Sequence, residues 1–473
     1  MSKGSFQYIS TRGQADRVGF DDVLLDGLAR DGGLYVPEVW PSWSSETLAL
    51  WKDLPYAALA ARTCAPFMAG SVVADDIAVL AKAAYDTFDD PTIAPLHDLG
   101  DGLYLQELFH GPTLAFKDYA LQLVGHLFDA VLTARGERIT VVGATSGDTG
   151  PAGIAACAGC AAIDIFMLHP KDRTSVVQRR QMTTVADSNV FNIAVEGTFD
   201  DCQDLVKTLF ADLTLRDRVN LSAVNSINWA RVLGQIVYYV HAGLQLGAPG
   251  RPVSFSVPTG NFGNIFAGYG AAQCGLPVDQ LIVGSNANDI LTRFFRDNAM
   301  EIRGVTPTLS PSMDIQVSSN FERLLFDLLD RDGAAVDEMI RSFRTGGRLL
   351  LDRNRWQCAT RLFSGASLDD AGTIAVMRDV HEKTGRQIDP HTAVGLAAAR
   401  ACREGGAPVV VLCTAHPAKF PDAVEKATGR RPLLPLHLAN LYDREERYVI
   451  LPNDATALTD YIYANARAAG AAA

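Results

Sequence analysis

From about residue 103 onward the chain alternates two textures. Short runs of apolar, often β-branched residues occupy 103–107, 139–142, 163–168, 190–195, 253–257, 281–283 and 409–413. Between them lie longer stretches whose apolar positions recur every three or four residues, at 117–134, 151–161, 175–185, 200–212, 229–246, 264–274 and 287–297. The first texture predicts buried strands and the second predicts helices. Their alternation implies an α/β fold with mainly parallel sheet and helices on both faces. In such folds ligands collect at the carboxyl ends of strands, where loops lead into helices. Further helices are expected at 321–329, 368–384 and 391–403.

Residues 1–95 read differently. Helical patterns cover 20–29, 45–51 and 74–88, and Ile77, Leu80, Ala81, Ala84 and Phe88 share one face of the last. Asp31-Gly32-Gly33 closes the first helix, and 34–37 is extended. Asp89-Asp90-Pro91 and Pro95 mark a boundary. The expected division is a mostly helical unit at 1–95, an α/β region at 96–430 and an extension at 431–473. The alanine-rich end of that extension is expected to fray.

Composition narrows the class. Hydrophobic residues make up 48% and charged residues 20%, as in ordinary globular proteins. The net charge of −12 argues against nucleic acid as a partner. The first twenty residues carry no apolar core of signal-peptide length, and no stretch approaches a membrane span. A cytoplasmic chain with no membrane partner is expected. The eight cysteines are scattered. Cys157 and Cys160 form a C-x-x-C among small residues and are read as packing residues. No second such pair completes a zinc site, and no metal is expected.

Five segments carry candidate chemistry. Gly111-Pro-Thr-Leu-Ala-Phe-Lys117 places Lys117 between apolar neighbours at the start of a helix. Desolvation there would lower its pKa and favour the neutral amine that a Schiff base needs. The same pattern also fits a lysine with a packed stem and a solvated ammonium. Thr145-Ser146-Gly147-Asp148-Thr149 follows a strand and opens a helix, an arrangement that holds a carboxylate or forms a plain capped turn. Gly260-Asn261-Phe262-Gly263-Asn264 could cradle a phosphate. No Lys-Ser/Thr follows its second glycine, so it is not a nucleotide-binding Walker loop. Asn225, Ser226 and Arg231, at the entrance of a long helix, suit a phosphate or carboxylate, or a cap with a solvated arginine. Thr414, at the end of the most apolar strand, points a hydroxyl into the crevice or satisfies local backbone. His110 is open between a catalytic and a packing role, while His391 and His416 are read as packing residues. Asn286 to Asp289 line the pocket without an assigned role.

Taken in order, these segments resemble the threonine synthases, pyridoxal-phosphate enzymes of fold type II (the tryptophan-synthase-β-like superfamily). The resemblance also covers Tyr8-Ile-Ser-Thr-Arg-Gly13, Asp31-Gly-Gly-Leu-Tyr-Val-Pro37 and Thr414-Ala-His-Pro-Ala-Lys-Phe420. It implies two doubly wound α/β domains plus a mostly helical N-terminal domain. It implies that Lys117 binds pyridoxal 5′-phosphate covalently and moves protons as the catalytic residue. Gly260, Asn261, Phe262, Gly263 and Asn264 would hold the cofactor phosphate, with the Thr414 hydroxyl facing the pyridine nitrogen. Thr145, Ser146, Gly147, Asp148 and Thr149 would hold the substrate carboxylate, and Asn225, Ser226 and Arg231 its phosphate. Asp148 stands where many superfamily members carry asparagine beside the ring oxygen. The implied reaction converts O-phospho-L-homoserine and water to L-threonine and phosphate, the last step of threonine biosynthesis, in a monomer or homodimer. A related phospho-lyase or a serine/threonine dehydratase is the alternative.

Overall fold

The computed structural model describes residues 5–145, 147–222 and 227–470. Two sheets organise it. The larger runs Phe363–Ser367, Val278–Ser285, Val253–Pro258, Val409–Cys413, Leu103–Glu107, Leu96–Gly100. Its neighbours are parallel except the last pair, an antiparallel hairpin. The smaller runs Val449–Pro452, Val190–Glu196, Ile163–Pro170, Ile139–Ala144, Leu221–Ser222, all parallel. Val409–Cys413 has all five residues buried, which explains its unbroken apolar run.

Helix Lys117–Arg135 and helix Trp229–Gln245 pack together in the core shared by the two sheets. Helix Trp229–Gln245 buries nearly every residue, so it shows no polar face. Small residues permit close crossings. A Cβ on Gly234 would lie 2.9 Å from Ala120 Cα, and one on Gly125 would lie 2.0 Å from the Ala156 carbonyl oxygen. Gly125 therefore sets the distance between helix Lys117–Arg135 and helix Thr149–Cys157, which leads out of the smaller sheet. Helix propensity alone would make Gly125→Ala stabilising by about 1 kcal/mol. The clash with backbone reverses the sign, and a net loss of roughly 2 kcal/mol is expected from overpacking. The urea midpoint of the variant checks this.

The N-terminal segment is tied to the rest by buried polar contacts. Tyr8–Ser10 pairs antiparallel with Tyr35–Pro37. Thr11 donates its hydroxyl to Glu322 Oε1 at 2.7 Å, and Arg323 Nε donates to the Tyr35 carbonyl at 2.9 Å. One apolar core runs unbroken from the N-terminal helices into the two central helices.

Several expected boundaries move. The helix expected at 20–29 ends at Asp26, because Gly27 takes a left-handed φ of 66° and closes it. The one expected at 74–88 is α-helical only over Ile77–Tyr85. The one expected at 287–297 starts at Ile290, because the Asn286 and Asn288 side chains bond elsewhere. Strands Leu96–Gly100, Phe363–Ser367 and Val449–Pro452 are not predicted by the hydrophobic pattern, being half-exposed edge strands with no continuous apolar run. Cys157 is buried at a helix end, while Cys160, beyond that end, is only half-buried; both are free thiols.

The C-terminal extension adds the edge strand Val449–Pro452 and helix Ala455–Asn465 to the smaller sheet. Before that strand, Leu438 and Leu441 pack on Leu114 and Val177. Among the described residues, no helix is long and apolar enough to cross a membrane.

Candidate active site

Lys117 is the first residue of helix Lys117–Arg135. Its approach is built by two loops that cross at the carboxyl ends of neighbouring strands. Ala115 and Ala415 form an antiparallel bridge. Phe116 N donates to the Thr414 carbonyl at 2.9 Å, and His416 N donates to the Leu114 carbonyl at 3.0 Å. Leu114 sits at φ 63°, a left-handed conformation that a bulky residue holds only when its surroundings enforce it. Asp118 secures the turn from inside, accepting from Thr113 N at 2.8 Å and Thr113 Oγ1 at 2.6 Å.

Lys117 is buried at 9% exposure, with Nζ 3.5 Å from Asp148 Oδ2. Burial lowers the amine's pKa; Asp148 opposes that shift, while Lys419 and Arg231 add to it. Asp148 is bound more tightly by others. Its Oδ1 lies 2.7 Å from Lys419 Nζ and accepts from Gln178 Nε2 at 2.9 Å. Ser312 Oγ reaches Oδ2 at 3.4 Å. Burial works against the carboxylate, but the two lysines outweigh it and hold Asp148 well below the usual carboxylate range.

Beside this cluster stand two groups suited to anions. Arg231, in the first turn of helix Trp229–Gln245, is 4% exposed. Among the described residues its Nε and Nη1 have no hydrogen-bond partner. Burial brings its pKa down to about 10. The second group is the loop after Val253–Pro258. Phe262 takes φ 62° at the start of helix Gly263–Gln273, and its ring is held among Phe295, Phe321 and Phe363. Ser318 Oγ donates to the Gly260 carbonyl at 2.6 Å, and Asn320 N donates to the Asn261 carbonyl at 3.1 Å. The loop's carbonyls are thus turned into the protein, at a helix end that offers N–H groups. Asn264 Oδ1 accepts from Tyr238 at 2.6 Å, and its buried Nδ2 is left without a partner among the described residues.

The sequence matches known families along its length. Residues 7–85 match the family description "Threonine synthase N terminus", 91–415 "Pyridoxal-phosphate dependent enzyme" and 392–462 "Threonine synthase, C-terminal". A threonine synthase of Pseudomonas aeruginosa is 55% identical, over 95% of this chain and 96% of that one. The chain belongs to the threonine synthase family. A crystal structure described as PLP-bound threonine synthase from Brucella melitensis superposes with a TM-score of 0.96 at 48% identity, covering 98% of this chain and all of that one. Threonine synthase from yeast superposes at 0.92 with 37% identity, covering 97% and 98%.

The protein is therefore a pyridoxal-phosphate-dependent enzyme of fold type II. The residues present fit that cofactor: a buried amine for an aldehyde, and a helix N-terminus with a spare buried amide donor for a phosphate. The structure brings Asp148 and Arg231 each within electrostatic reach of Lys117. Thr414 ends the strand beside them, 5% exposed, with its carbonyl bonded to the lysine loop. Thr145 uses its hydroxyl on the backbone, accepting from Gly147 N and Gly150 N at 3.0 Å each, and so shapes the loop. Thr149 is the first residue of the following helix. Ser146, Asn225 and Ser226 lie outside the described residues.

The histidines divide by partner. His110 Nε2 lies 2.9 Å from a Glu107 carboxylate that also faces His97 and Arg386. His416 Nδ1 accepts from Ala418 N at 3.1 Å and caps the turn Pro417–Lys419, and burial pushes its pKa down to about 4. His391 Nδ1 lies 2.8 Å from Asp389 Oδ1, and its ring packs on Phe420. Asn286 and Asn288 gain a role that the sequence left blank. Their amides bind Asp314 at 2.7 and 3.0 Å, and Asn286 also holds Thr308 and Ser310. They fix the segment 304–318, which carries Ser312 to Asp148 and Ser318 to Gly260. The sequence does not mark Lys419, Gln178 or Ser312 as site residues. Only Lys419 gave a signal, a lysine between Ala418 and Phe420 just past a buried strand.

Proposed function

We propose that this enzyme converts O-phospho-L-homoserine and water to L-threonine and phosphate. One observation carries the reading: a buried lysine next to a carboxylate, with a buried guanidinium close by whose Nε and Nη1 have no partner among the described residues. That set suits a substrate bearing both an amine and a phosphate.

Lys117 would hold the pyridoxal phosphate aldehyde, residues 260–264 its phosphate, and the Thr414 hydroxyl would face its pyridine nitrogen. The bound cofactor supplies an electron sink for charge developing at the substrate's α carbon. Arg231, with Asn225 and Ser226, binds the substrate phosphate, and residues 145–149 orient its carboxylate. The Lys117 amine, with its lowered pKa, would take protons from the α and β carbons, and one proton would return to the α carbon while another goes to the γ carbon as it becomes a methyl group. Phosphate leaves the γ carbon, and water adds at the β carbon. The division at 95 and 430 belongs to the same proposal, with the outer units framing the central catalytic region.

The test is a product balance. Purified holoenzyme is supplied with O-phospho-L-homoserine, and phosphate and threonine are measured together. Equal yields are expected. Phosphate without threonine would replace this reading with a phospho-lyase, and ammonia released from serine or threonine would replace it with a dehydratase.

A further inference from the structure

Lys419 is as deeply buried as any group in the site, with a side chain at 0% exposure. It comes from the turn after Val409–Cys413, and its Nζ joins two other loops. It donates to the Thr113 carbonyl, at 2.9 Å, from the loop that delivers Lys117. It also pairs with Asp148 Oδ1, at 2.7 Å, from the loop that follows Ile139–Ala144 in the smaller sheet. Gln181 Nε2 holds the same Thr113 carbonyl at 3.1 Å. One carboxylate thus serves two buried lysines, unequally: 2.7 Å to Lys419 and 3.5 Å to Lys117.

The geometry points to Lys419 as a positioning residue for the lysine chemistry: it takes up the Asp148 carboxylate, so that Lys117 stands beside that carboxylate without being tied to it. The inference rests on the reading of Lys117 as the cofactor-binding lysine. Its physical basis is competition. An isolated buried Asp148 would pair with Lys117 and hold it as an ammonium, which is not a nucleophile. With Lys419 already on Oδ1, the carboxylate's charge is compensated and Lys117 can give up its proton. Among the described residues, the other titratable groups facing Lys117 or Asp148 are Arg231 on helix Trp229–Gln245, which faces Lys117, and His391 on helix Pro390–Cys402, which faces Asp148. Asp118, next to Lys117, is occupied by Thr113. Lys419 also spans the two sheets, so the setting of Lys117 depends on both being in place.

The test is a cycle of four full-length proteins: wild type, Lys419→Met, Asp148→Asn and the double variant. Each is freed of cofactor and mixed with pyridoxal phosphate across about pH 6 to 10, and the adduct is trapped with borohydride. Mass spectrometry of the Lys117 peptide gives the trapping rate, so the readout does not depend on turnover. In Lys419→Met the carboxylate is left to Lys117 alone, and the pH midpoint rises by about one unit, a roughly tenfold slower trapping at neutral pH. In Asp148→Asn the midpoint falls below wild type. The double variant, lacking both charges, returns near wild type and well above Asp148→Asn. A Lys419→Met midpoint equal to or below wild type overturns the inference. If Lys419→Met does not fold, coincident midpoints for Asp148→Asn and the double variant overturn it instead, and separated ones support it. Absence of any Lys117 adduct in wild type would remove the cofactor-lysine reading itself, an outcome distinct from both.

Discussion

Replacing Lys117 with alanine is expected to abolish borohydride-fixable attachment of pyridoxal phosphate and to lower kcat/KM by at least about 10³-fold. Among the described residues no neighbouring amine can take over. Lys419 is the other lysine in the cluster, and its Nζ is committed to Asp148 and the Thr113 carbonyl. The loss should be chemical, not structural. Asp148 keeps its bonds to Lys419 and Gln178, so no buried carboxylate is stranded. The Lys117 backbone is held by helix Lys117–Arg135 and by the bridge between Ala115 and Ala415. Pyridoxal phosphate should still bind, held through its phosphate, and be washed out by dialysis. The checks are mass spectrometry after reduction, the visible spectrum, and a melting temperature close to wild type. An alanine variant that still retains reduced cofactor on another lysine would sink the assignment.

Whether a feature was legible in the sequence depended on whether one segment could announce it alone. Val409–Cys413 and Val253–Pro258 are buried on both faces, and each wrote that into a continuous apolar run. Lys117 was legible for the same reason: a charge among apolar neighbours is conspicuous in one dimension. Val449–Pro452 alternates half-buried and exposed positions, and only its parallel pairing with Val190–Glu196 makes it a strand. Gln178 and Ser312 become site residues because a helix, Val176–Thr183, and a loop, both distant in sequence from Asp148, reach its carboxylate. Neither has an unusual local context, so no reading of its own segment would have chosen it. Asn286 lies between these cases. Its motif was visible, but its partners Thr308, Ser310 and Asp314 belong to a loop of no regular pattern.

Arg231→Met is expected to move stability and function in opposite directions. Arg231 is 4% exposed, its Nε and Nη1 have no partner among the described residues, and burial has already drawn its pKa down to about 10. A guanidinium in that condition is held at a cost, and an apolar side chain of similar length removes it. The cofactor-free variant should therefore gain roughly 1–3 kcal/mol in urea unfolding. The same change removes the charge that would receive the substrate phosphate, and kcat/KM should fall about 10²- to 10³-fold, chiefly through KM. A linked measurement separates binding from general packing. In the holoenzymes, where the cofactor phosphate already fills the 260–264 cradle, inorganic phosphate should raise the unfolding midpoint of the wild-type protein as ligand binding to the native state requires, and should leave Arg231→Met unmoved. If the variant were less stable than wild type without phosphate, Arg231 would be a structural residue whose partners form within the fold. If phosphate stabilised both proteins equally, the anion would be held elsewhere. The stability gain and the loss of phosphate response must occur together, because both follow from one buried charge whose Nε and Nη1 find no partner among the described residues.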